Sequence, residues 1–374
     1  MTRRPALPTG LLAMLALVAG VEHFLARHDV DYVHPWAWDW KRAGSAASRQ
    51  AVGCDVLCFG DSLVKFGLLP RVLEDRLGAR SYNLAVGAGQ ASATYVLLRR
   101  ALAAGARPRA IVVDFKPHLL AYNVHNSDHQ WPELLTPGES LDLSWSARDA
   151  GFFAETMLGR LLPSVRCRAE VGAAVTSALR GESASPRDAL PPIWRNWNVN
   201  KGAQVAPRGP GPPGAGEGWA NELFPPDWAP HPVNASYVRR FLALARSRGI
   251  AVYWLLPPIR PDAQADGERT GVDARFARFV ESMRADCPAL VVLDGRRSGY
   301  GAEVHVDPVH LDRRGAAALS ADVATVIGRG GVPAAWITLP SYRERPTRGP
   351  LEDLEESRVA LRDQGRRRNG AGRR

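Results

Sequence analysis

The sequence predicts an α/β domain built on a doubly wound parallel sheet that carries a long insertion. Short apolar runs alternate with helical patterns along most of the chain. The run Arg109–Phe115 is apolar over most of its length, as strands buried on both faces of a parallel sheet are. Strands that alternate with helices in this way pair in parallel through right-handed crossovers.

Each predicted strand is a short apolar run that ends at a turn. The strands are expected at Val56–Phe59, Ser81–Val86, Arg109–Phe115, Ile250–Leu256 and Ala289–Asp294. Helices are expected at Val64–Leu77, Ser92–Ala104, Ala274–Ala285 and Arg314–Gly328. The third and fourth strands are separated by about 130 residues, far more than a usual connection, so residues 120–245 are interpreted as an insertion.

The first predicted strand leads directly into a serine at the start of a helix. Gly60 ends the apolar run, and Asp61 and Ser62 follow it. A serine there lies at the C-terminal edge of the sheet, where such folds bind ligands. The helix N-terminus favours the negative charge of an acyl-transfer intermediate. The alternative role is structural, since Asp61 or Ser62 would also serve as an N-cap.

A carboxylate and an imidazole near the end of the domain favour the catalytic role. Asp307 and His310 are three residues apart in one predicted turn. The carboxylate can hold one ring nitrogen while the other nitrogen faces a serine across the cleft. Gly-Asp-Ser-Leu near the N-terminus and Asp-x-x-His-Leu near the C-terminus together resemble the GDSL/SGNH hydrolase family, over roughly residues 51–327.

The resemblance implies a flavodoxin-like three-layer α/β/α fold with a Ser-His-Asp triad. It makes Ser62 the nucleophile, His310 the general base and Asp307 the residue that orients the base. It also implies an oxyanion hole with backbone N–H donors at Ser62 and in the glycine turn after the second strand. Gly87 is the expected donor in that turn, with Gly89 as the alternative. No cofactor and no metal ion is expected.

One motif of the family is missing from this chain. The family pattern after the third strand is Gly-x-Asn-Asp, with the asparagine as a further oxyanion donor, whereas positions 114–117 read Asp-Phe-Lys-Pro. Lys116 is the expected replacement, and Asn123 or Asn126 from the following loop are alternatives. Removing one such donor costs about 10²–10³ in rate, so its identity matters for catalysis.

The N-terminus has the pattern of an export segment or membrane anchor. Arg3 and Arg4 precede a largely apolar stretch, Leu7–Val21. No clean Ala-x-Ala cleavage site follows, so an uncleaved anchor over residues 1–28 is preferred to a cleaved, secreted form. The catalytic domain is then expected outside the cytoplasm, in the periplasm or cell envelope.

The remaining chain is divided by composition. Residues 29–50 are expected to form a linker, 51–335 the hydrolase-like domain, and 336–374 a charged tail. The alternating tryptophans of the linker are Trp36, Trp38 and Trp40. On an extended chain they would share one side and lie either at the membrane interface or against the domain.

The insertion is helical in its first half and rich in proline and glycine in its second half. Its second half contains Trp194, Trp197, Trp219 and Trp228. These rings either form a platform for sugar rings or anchor the long loop to the body of the domain, which is the more common role of tryptophan.

Composition argues against a nucleic-acid partner. The net charge is +10, but only four of the 48 basic residues are lysine, which is typical of a GC-rich coding bias. Much of the positive charge lies near the two ends of the chain, and the export segment also disfavours nucleic-acid binding. The four cysteines do not indicate a disulfide framework, although a Cys167–Cys287 bridge is left open.

The sequence therefore predicts a serine esterase that acts on ester-linked acyl groups. The expected substrate is an acyl ester, with O-acetyl groups on an extracytoplasmic glycan as the favoured class. The alternatives are an O-acyltransferase of the same fold and a glycan-binding or assembly protein with impaired catalysis.

Overall fold

A computed structural model of the chain describes residues 9–28, 35–181, 190–210, 222–330, 335–346 and 350–371. The chain divides into two compact units. The larger unit comprises Asp39–Asn126 and Pro191–Arg374, and the smaller comprises Met1–Trp38 and Ser127–Leu190. All four cysteines are free.

A single sheet of six parallel strands forms the centre of the larger unit. The strands are β1 (Val56–Phe59), β2 (Ser81–Asn83), β3 (Ala110–Val113), β4 (Ala251–Leu256), β5 (Val291–Asp294) and β6 (Trp336–Thr338). Their order is β2-β1-β3-β4-β5-β6. The direction of winding reverses between β1 and β3, and doubly wound sheets bind ligands at the C-terminal ends of the strands at such a point.

The helices in chain order are α1 (Thr9–Arg27), α2 (Pro35–Ser48), α3 (Ser62–Gly67), α4 (Pro70–Leu77), α5 (Ala91–Ala103), α6 (Pro117–Ala121), α7 (Trp131–Leu134), α8 (Pro137–Ala147), α9 (Ala150–Leu161), α10 (Pro163–Arg166), α11 (Arg168–Leu179), α12 (Leu190–Val199), α13 (Pro232–Ser247), α14 (Pro261–Arg269), α15 (Val272–Asp286), α16 (Arg313–Gly328) and α17 (Leu354–Ala371). Two short 3₁₀ turns lie at Val124–Ser127 and Ala302–Val304.

Helices cover both faces of the sheet. On one face, Val56 and Cys58 of β1 belong to a buried cluster that includes residues of α4 and α16. On the other face, Phe59 packs edge-on against Phe241 of α13, with ring centroids 5.8 Å apart, and α13 packs on α5. Successive strand residues point to opposite faces, and every residue of β1 is buried. The predicted α/β doubly wound fold class is therefore confirmed.

The helix predicted over Val64–Leu77 is in fact two helices, α3 and α4. Pro70 begins α4, and a proline inside a longer helix would remove a backbone hydrogen bond and clash with the preceding turn. The carbonyls at the end of α3 find another donor, because Asn83 Nδ2 donates to the oxygens of Val64 and Leu68, both at 2.9 Å. The single-helix prediction is therefore wrong at this junction.

Two segments outside the predicted domain are regular structure. The expected linker contains α2, where Trp40 is fully buried and Trp36 is half exposed, so these tryptophans do not share one side of an extended chain. The expected tail begins with β6, which pairs with β5 through Leu293 and Ile337, and it ends in α17. A strand of three residues is too short for its periodicity to be recognised in the sequence.

The smaller unit consists of α1 and the helices α7 to α11 of the insertion. The rings of Trp131 and Phe152 pack edge-to-face at 6.1 Å, and Arg166 pairs with Glu133 at 2.9 Å. Among the described helices, α1 is the one long and apolar enough to cross a membrane, with a mean hydropathy of 1.7.

Candidate active site

Ser62 is the first residue of α3, directly after the turn that ends β1. Gly60 in this turn has a φ of +130°, and a Cβ there would overlap the Asp114 carboxyl group, so only glycine fits. Asp61 caps α3, because its Oδ1 accepts the Leu63 N–H at 2.6 Å. The structural role that the sequence left open thus belongs to Asp61, and the Ser62 hydroxyl takes part in other contacts.

Ser62, His310 and Asp307 form one chain of hydrogen bonds. Ser62 Oγ lies 2.7 Å from His310 Nε2, and His310 Nδ1 lies 2.6 Å from Asp307 Oδ2. An ionised carboxylate can only accept, so Nδ1 carries the proton that faces Asp307 and Nε2 is left to accept the proton of Ser62. The structure therefore brings together all three residues of the predicted triad.

The turn that carries Asp307 and His310 is fixed by its own backbone. Asp307 Oδ1 accepts the N–H groups of Val309 at 2.9 Å and His310 at 2.8 Å. His305 and Leu311 form an antiparallel bridge that closes the base of the loop. The buried His305 ring bonds to a backbone carbonyl of the preceding turn, so His305 supports the loop that presents the imidazole.

Asp307 is poised as the charged member of the triad. Burial by itself would raise the pKa of Asp307, but the hydrogen bond and charge of His310 and the backbone N–H groups of Val309 and His310 outweigh burial and lower that pKa to about 2. An ionised carboxylate in this position orients the imidazole and would stabilise an imidazolium. Phe66 of α3 packs against the His310 ring at 4.7 Å, which further fixes the ring.

The Gly87 N–H is not available as an oxyanion donor, which corrects the prediction for this residue. It donates to Asp39 Oδ2 at 2.7 Å, while the Gly87 carbonyl accepts the Trp40 Nε1–H at 2.8 Å. The alternative, Gly89, donates its N–H to the Val86 carbonyl at 3.1 Å. The sequence could not show this, because the acceptor Asp39 is distant along the chain.

Ala88 is the better candidate donor in this turn. Among the described residues, no backbone or side-chain group accepts a hydrogen bond from its N–H, and the same holds for the Ser62 N–H. Ala88 has a φ of +53°, and residues in such sparsely populated conformations cluster at functional sites. The turn lies close to Ser62 in space, since the Val86 N–H donates to the Gly60 carbonyl at 3.1 Å.

Lys116 lies near the triad, at the exit of β3. Burial lowers the pKa of Lys116, and the nearby carboxyl groups of Asp61, Asp114 and Asp307 only partly oppose this effect. Within the described part of the chain, no acceptor lies within hydrogen-bond distance of Lys116 Nζ. Its N–H groups are therefore available to a ligand.

The two asparagines considered as alternatives to Lys116 serve the local backbone. Asn123 Oδ1 accepts the His125 N–H at 2.9 Å, and Asn126 Oδ1 accepts the Asn123 N–H at 3.0 Å. Both residues are exposed, Asn123 directly before the 3₁₀ turn that follows α6 and Asn126 within it. Lys116 is thus the stronger candidate for the third donor.

A buried ion pair next to the glycine turn was missed in the sequence. Lys65 Nζ lies 2.6 Å from Asp39 Oδ1 and donates to the backbone oxygens of Ala85 at 3.3 Å and Gly202 at 3.2 Å. Burial lowers the pKa of Lys65, whereas the charge and hydrogen bond of Asp39 raise it. Removing one partner of such a pair costs about 3–5 kcal/mol. No local pattern marks either residue, because their partnership is created by the packing of α2 on α3.

An apolar cavity of about 60 Å³ opens beside Leu63 and Lys116. Its other apolar lining residues include Phe115, Leu223, Phe224, Ile259 and Phe276. His118 also lines the cavity, and burial first, then the charges of Lys116 and His310, hold the pKa of His118 well below its usual value. A neutral histidine and aromatic walls make this cavity suitable for a small apolar group.

Of the four tryptophans considered for a sugar platform, Trp197 and Trp228 are buried and Trp194 is half-buried. Trp228 is buried, and its Nε1 donates to the Pro117 carbonyl at 2.6 Å. Trp197 is also buried and has Lys65 Nζ over its ring at 4.5 Å. Both rings therefore anchor the insertion to the larger unit, while Trp219 lies outside the described residues.

Sequence comparisons assign no family to the chain. No protein-family model matches it, and no curated protein sequence shows a significant match.

Asp307→Asn tests the charge of the triad carboxyl through acid stability. The pKa of Asp307 is about 2 in the folded state against 3.8 for an ordinary aspartate, so its stabilisation is complete above about pH 4 and is lost as the pH falls through about 2. The shift corresponds to about 2 kcal/mol. In the wild type, the free energy of unfolding should fall by this amount as the pH is lowered from about 4 to about 2. In Asp307→Asn, which has no carboxylate to protonate there, we expect the fall to be smaller by this amount, as measured by urea denaturation at each pH.

Asp75→Asn, at an exposed position of α4, is the matched control for loss of one carboxylate. It should retain the wild-type dependence of stability on pH. An identical pH dependence in wild type and Asp307→Asn would contradict the assignment of an ionised, hydrogen-bonded Asp307.

Proposed function

We propose that the protein is a serine acyl-ester hydrolase of the GDSL/SGNH type. The observation that carries the proposal is the chain of short hydrogen bonds from Ser62 through His310 to Asp307. The fold supports it, because these groups meet at the C-terminal edge of a doubly wound sheet, where such folds place their ligand sites. Ser62 lies in the Gly-Asp-Ser-Leu motif and His310 in the Asp-x-x-His-Leu motif, and both motifs resemble those of this family.

In the proposed reaction, Ser62 Oγ attacks the acyl carbonyl carbon while His310 Nε2 takes the hydroxyl proton. The C–O bond to the alcohol then breaks, and His310 returns the proton to the departing alkoxide oxygen. Water then attacks the acyl carbonyl carbon and gives its proton to His310 Nε2. As the bond from the acyl carbon to Ser62 Oγ breaks, His310 gives that proton to Ser62 Oγ, which releases the carboxylic acid and regenerates the hydroxyl. Asp307 remains ionised throughout and stabilises the imidazolium.

Three donors are proposed for the oxyanion that forms in each step. The backbone N–H groups of Ser62 and Ala88 come from the α3 N-terminus and the neighbouring turn, and the ammonium group of Lys116 takes the place of the family's asparagine. Donors fixed in advance at the site of developing charge give the largest single contribution to many acyl-transfer rates.

The cavity beside Leu63 and Lys116 supports an acyl ester as substrate. Its aromatic walls favour the apolar part of an acyl group. O-acetyl groups on a glycan of the cell envelope are the substrate class we propose.

The location of this activity is proposed from α1 and the residues before it. Arg3 and Arg4 precede α1, and basic residues favour the cytoplasmic side of a membrane. With α1 as an anchor, the catalytic unit would then lie on the extracytoplasmic side.

The first test is labelling of the full chain in detergent with a fluorophosphonate probe, which reacts with activated serines. We expect labelling of the wild type, none with Ser62→Ala, and a rate lowered by more than about 10³-fold with His310→Ala. Ser282→Ala, at an exposed position of α15, should label like the wild type.

Labelling of Ser62→Ala would show that another residue reacts and would remove the basis of the mechanism. A folded wild type that is never labelled would favour the non-catalytic glycan-binding alternative.

Lys116→Met and Lys116→Asn test the third oxyanion donor. Loss of a donor that acts in the transition state should lower kcat for an aryl acetate by about 10²–10³ with little change in KM. Lys116→Asn restores the amide of the family pattern and should retain more activity than Lys116→Met. Lys201→Met, which removes a lysine paired with Glu74, is the control. Equal kcat values for Lys116→Met and the control would exclude Lys116 as a donor.

A further inference from the structure

The helices of the insertion in the smaller unit expose many large apolar side chains. We call this set the apolar surface, and its members are Leu141, Trp145, Leu158, Leu161, Val165, Val175 and Leu179. The exposed fraction is 83% for Trp145, 74% for Leu161 and 85% for Leu179. Leu141 and Trp145 are four residues apart and share one face of α8, and Val175 and Leu179 likewise share one face of α11. Exposed apolar patches mark interaction sites.

Helix α11 has the least cover of these elements. It consists mainly of alanine, glycine, valine and leucine, yet none of its residues is buried. A helix of this length gains most of its stability from packing of an apolar face, and an isolated one is marginal in water. Something other than the described residues must therefore cover α11 for it to be stable.

A contact with α1 indicates what covers the apolar surface. Ser164 of α10 donates its hydroxyl to Glu22 Oε1 and its backbone N–H to Glu22 Oε2, the latter at 3.1 Å. Glu22 is the first charged residue of α1, and a carboxylate avoids the hydrocarbon region of a bilayer. If α1 is the membrane anchor, Ser164 lies at the level where α1 leaves the hydrocarbon. Leu161 and Val165, within one helical turn of Ser164 in sequence, then lie at the same level.

We propose that α8 to α11 lie in the membrane interface beside α1, with the apolar surface in contact with lipid. The partner is the phospholipid bilayer itself. Arg168 and Arg180 flank α11 at its two ends and are exposed, which favours anionic headgroups. The smaller unit is thus a membrane-bound platform in which α1 is one part.

The test is spin labelling of the full chain in nanodiscs of phosphatidylcholine and phosphatidylglycerol. Labels are placed at Leu161→Cys and Leu179→Cys after the half-exposed Cys54 is changed to alanine. Met14→Cys in α1 and Val359→Cys in α17 are the lipid and water controls, with native exposures of 55% and 53%. We expect accessibility to oxygen, relative to a water-soluble nickel reagent, to be several-fold higher at Leu161 and Leu179 than at Val359.

Three results would overturn the proposal. The first is a ratio of oxygen to nickel accessibility at Leu161 and Leu179 that equals the ratio at Val359, which would place the apolar surface in water. The second is labels that neither reagent reaches, which would show that another protein chain covers it. The third is a water-like ratio at Met14, which would remove the anchor on which the argument depends.

A separate observation concerns the positioning of the Ala88 N–H. The peptide units on both sides of Gly87 are fixed by α2, through the Asp39 carboxylate and the Trp40 indole. The same Asp39 carboxylate holds Lys65 of α3, three residues after Ser62. One side chain of α2 therefore connects both backbone segments that would supply the proposed oxyanion donors.

We infer that Asp39 and Trp40 are positioning residues for the oxyanion hole, an inference that depends on the proposed function. The test is Trp40→Phe, which removes the N–H donated to Gly87 and keeps an aromatic ring. Trp254→Phe is the matched control, since Trp254 is also fully buried and its Nε1 has no acceptor among the described residues. We expect Trp40→Phe to lower kcat by about tenfold with KM unchanged. This is less than the loss of about 10²–10³ that follows removal of a whole oxyanion donor, because the Ala88 N–H is displaced and not removed.

Hydrogen exchange of the peptide that contains residues 84–90 gives a readout independent of activity. Faster exchange in Trp40→Phe than in Trp254→Phe supports the positioning role even if the wild type shows no esterase activity, in which case only the proposed function fails. Exchange and kcat that match those of Trp254→Phe in an active enzyme would overturn the inference.

Discussion

The position of Ser62 depends on a contact between the ends of two neighbouring strands. The Asp114 carboxyl, at the exit of β3, accepts the Asp61 N–H at 2.9 Å and occupies the space that a side chain at position 60 would need. Gly60 therefore makes the turn at a positive φ, and α3 begins at Ser62. Burial and the neighbouring Asp61 raise the pKa of Asp114 well above its usual range, which favours its neutral form.

Two carboxyl groups near Ser62 have opposite electrostatic surroundings. Asp114 lies beside another carboxyl in a buried position, whereas Asp307 receives two backbone N–H groups and the His310 ring. When their surroundings shift the pKa values of two carboxyl groups in opposite directions, the two groups commonly have different roles in a site. Here the separation leaves Asp307 as the charged partner of the imidazole and Asp114 as a structural group.

The larger unit extends beyond the limits expected for the domain from the sequence, because interactions of its core reach distant segments. Lys65, buried in α3, would be costly without Asp39, and Asp39 lies in the segment interpreted as a linker. At the other end, Asp294 of β5 has its backbone paired with Thr338 of β6, in the segment interpreted as a tail. Both additions complete interactions of the α/β core, so the core includes α2 and β6.

The sequence by itself determined the fold class, the first five strands to within a few residues at each end, and the three residues of the proposed triad. These features have local signals: apolar runs, a glycine that ends a strand, and Asp and His at a spacing that fits one turn. The tertiary structure alone decided the engagement of the Gly87 N–H, the lack of a described acceptor for the Ala88 N–H, and the Lys65–Asp39 pair. The physical reason is that the groups packed against it decide whether an N–H is already bonded or a buried charge is paired. Those groups come from segments far apart in the chain.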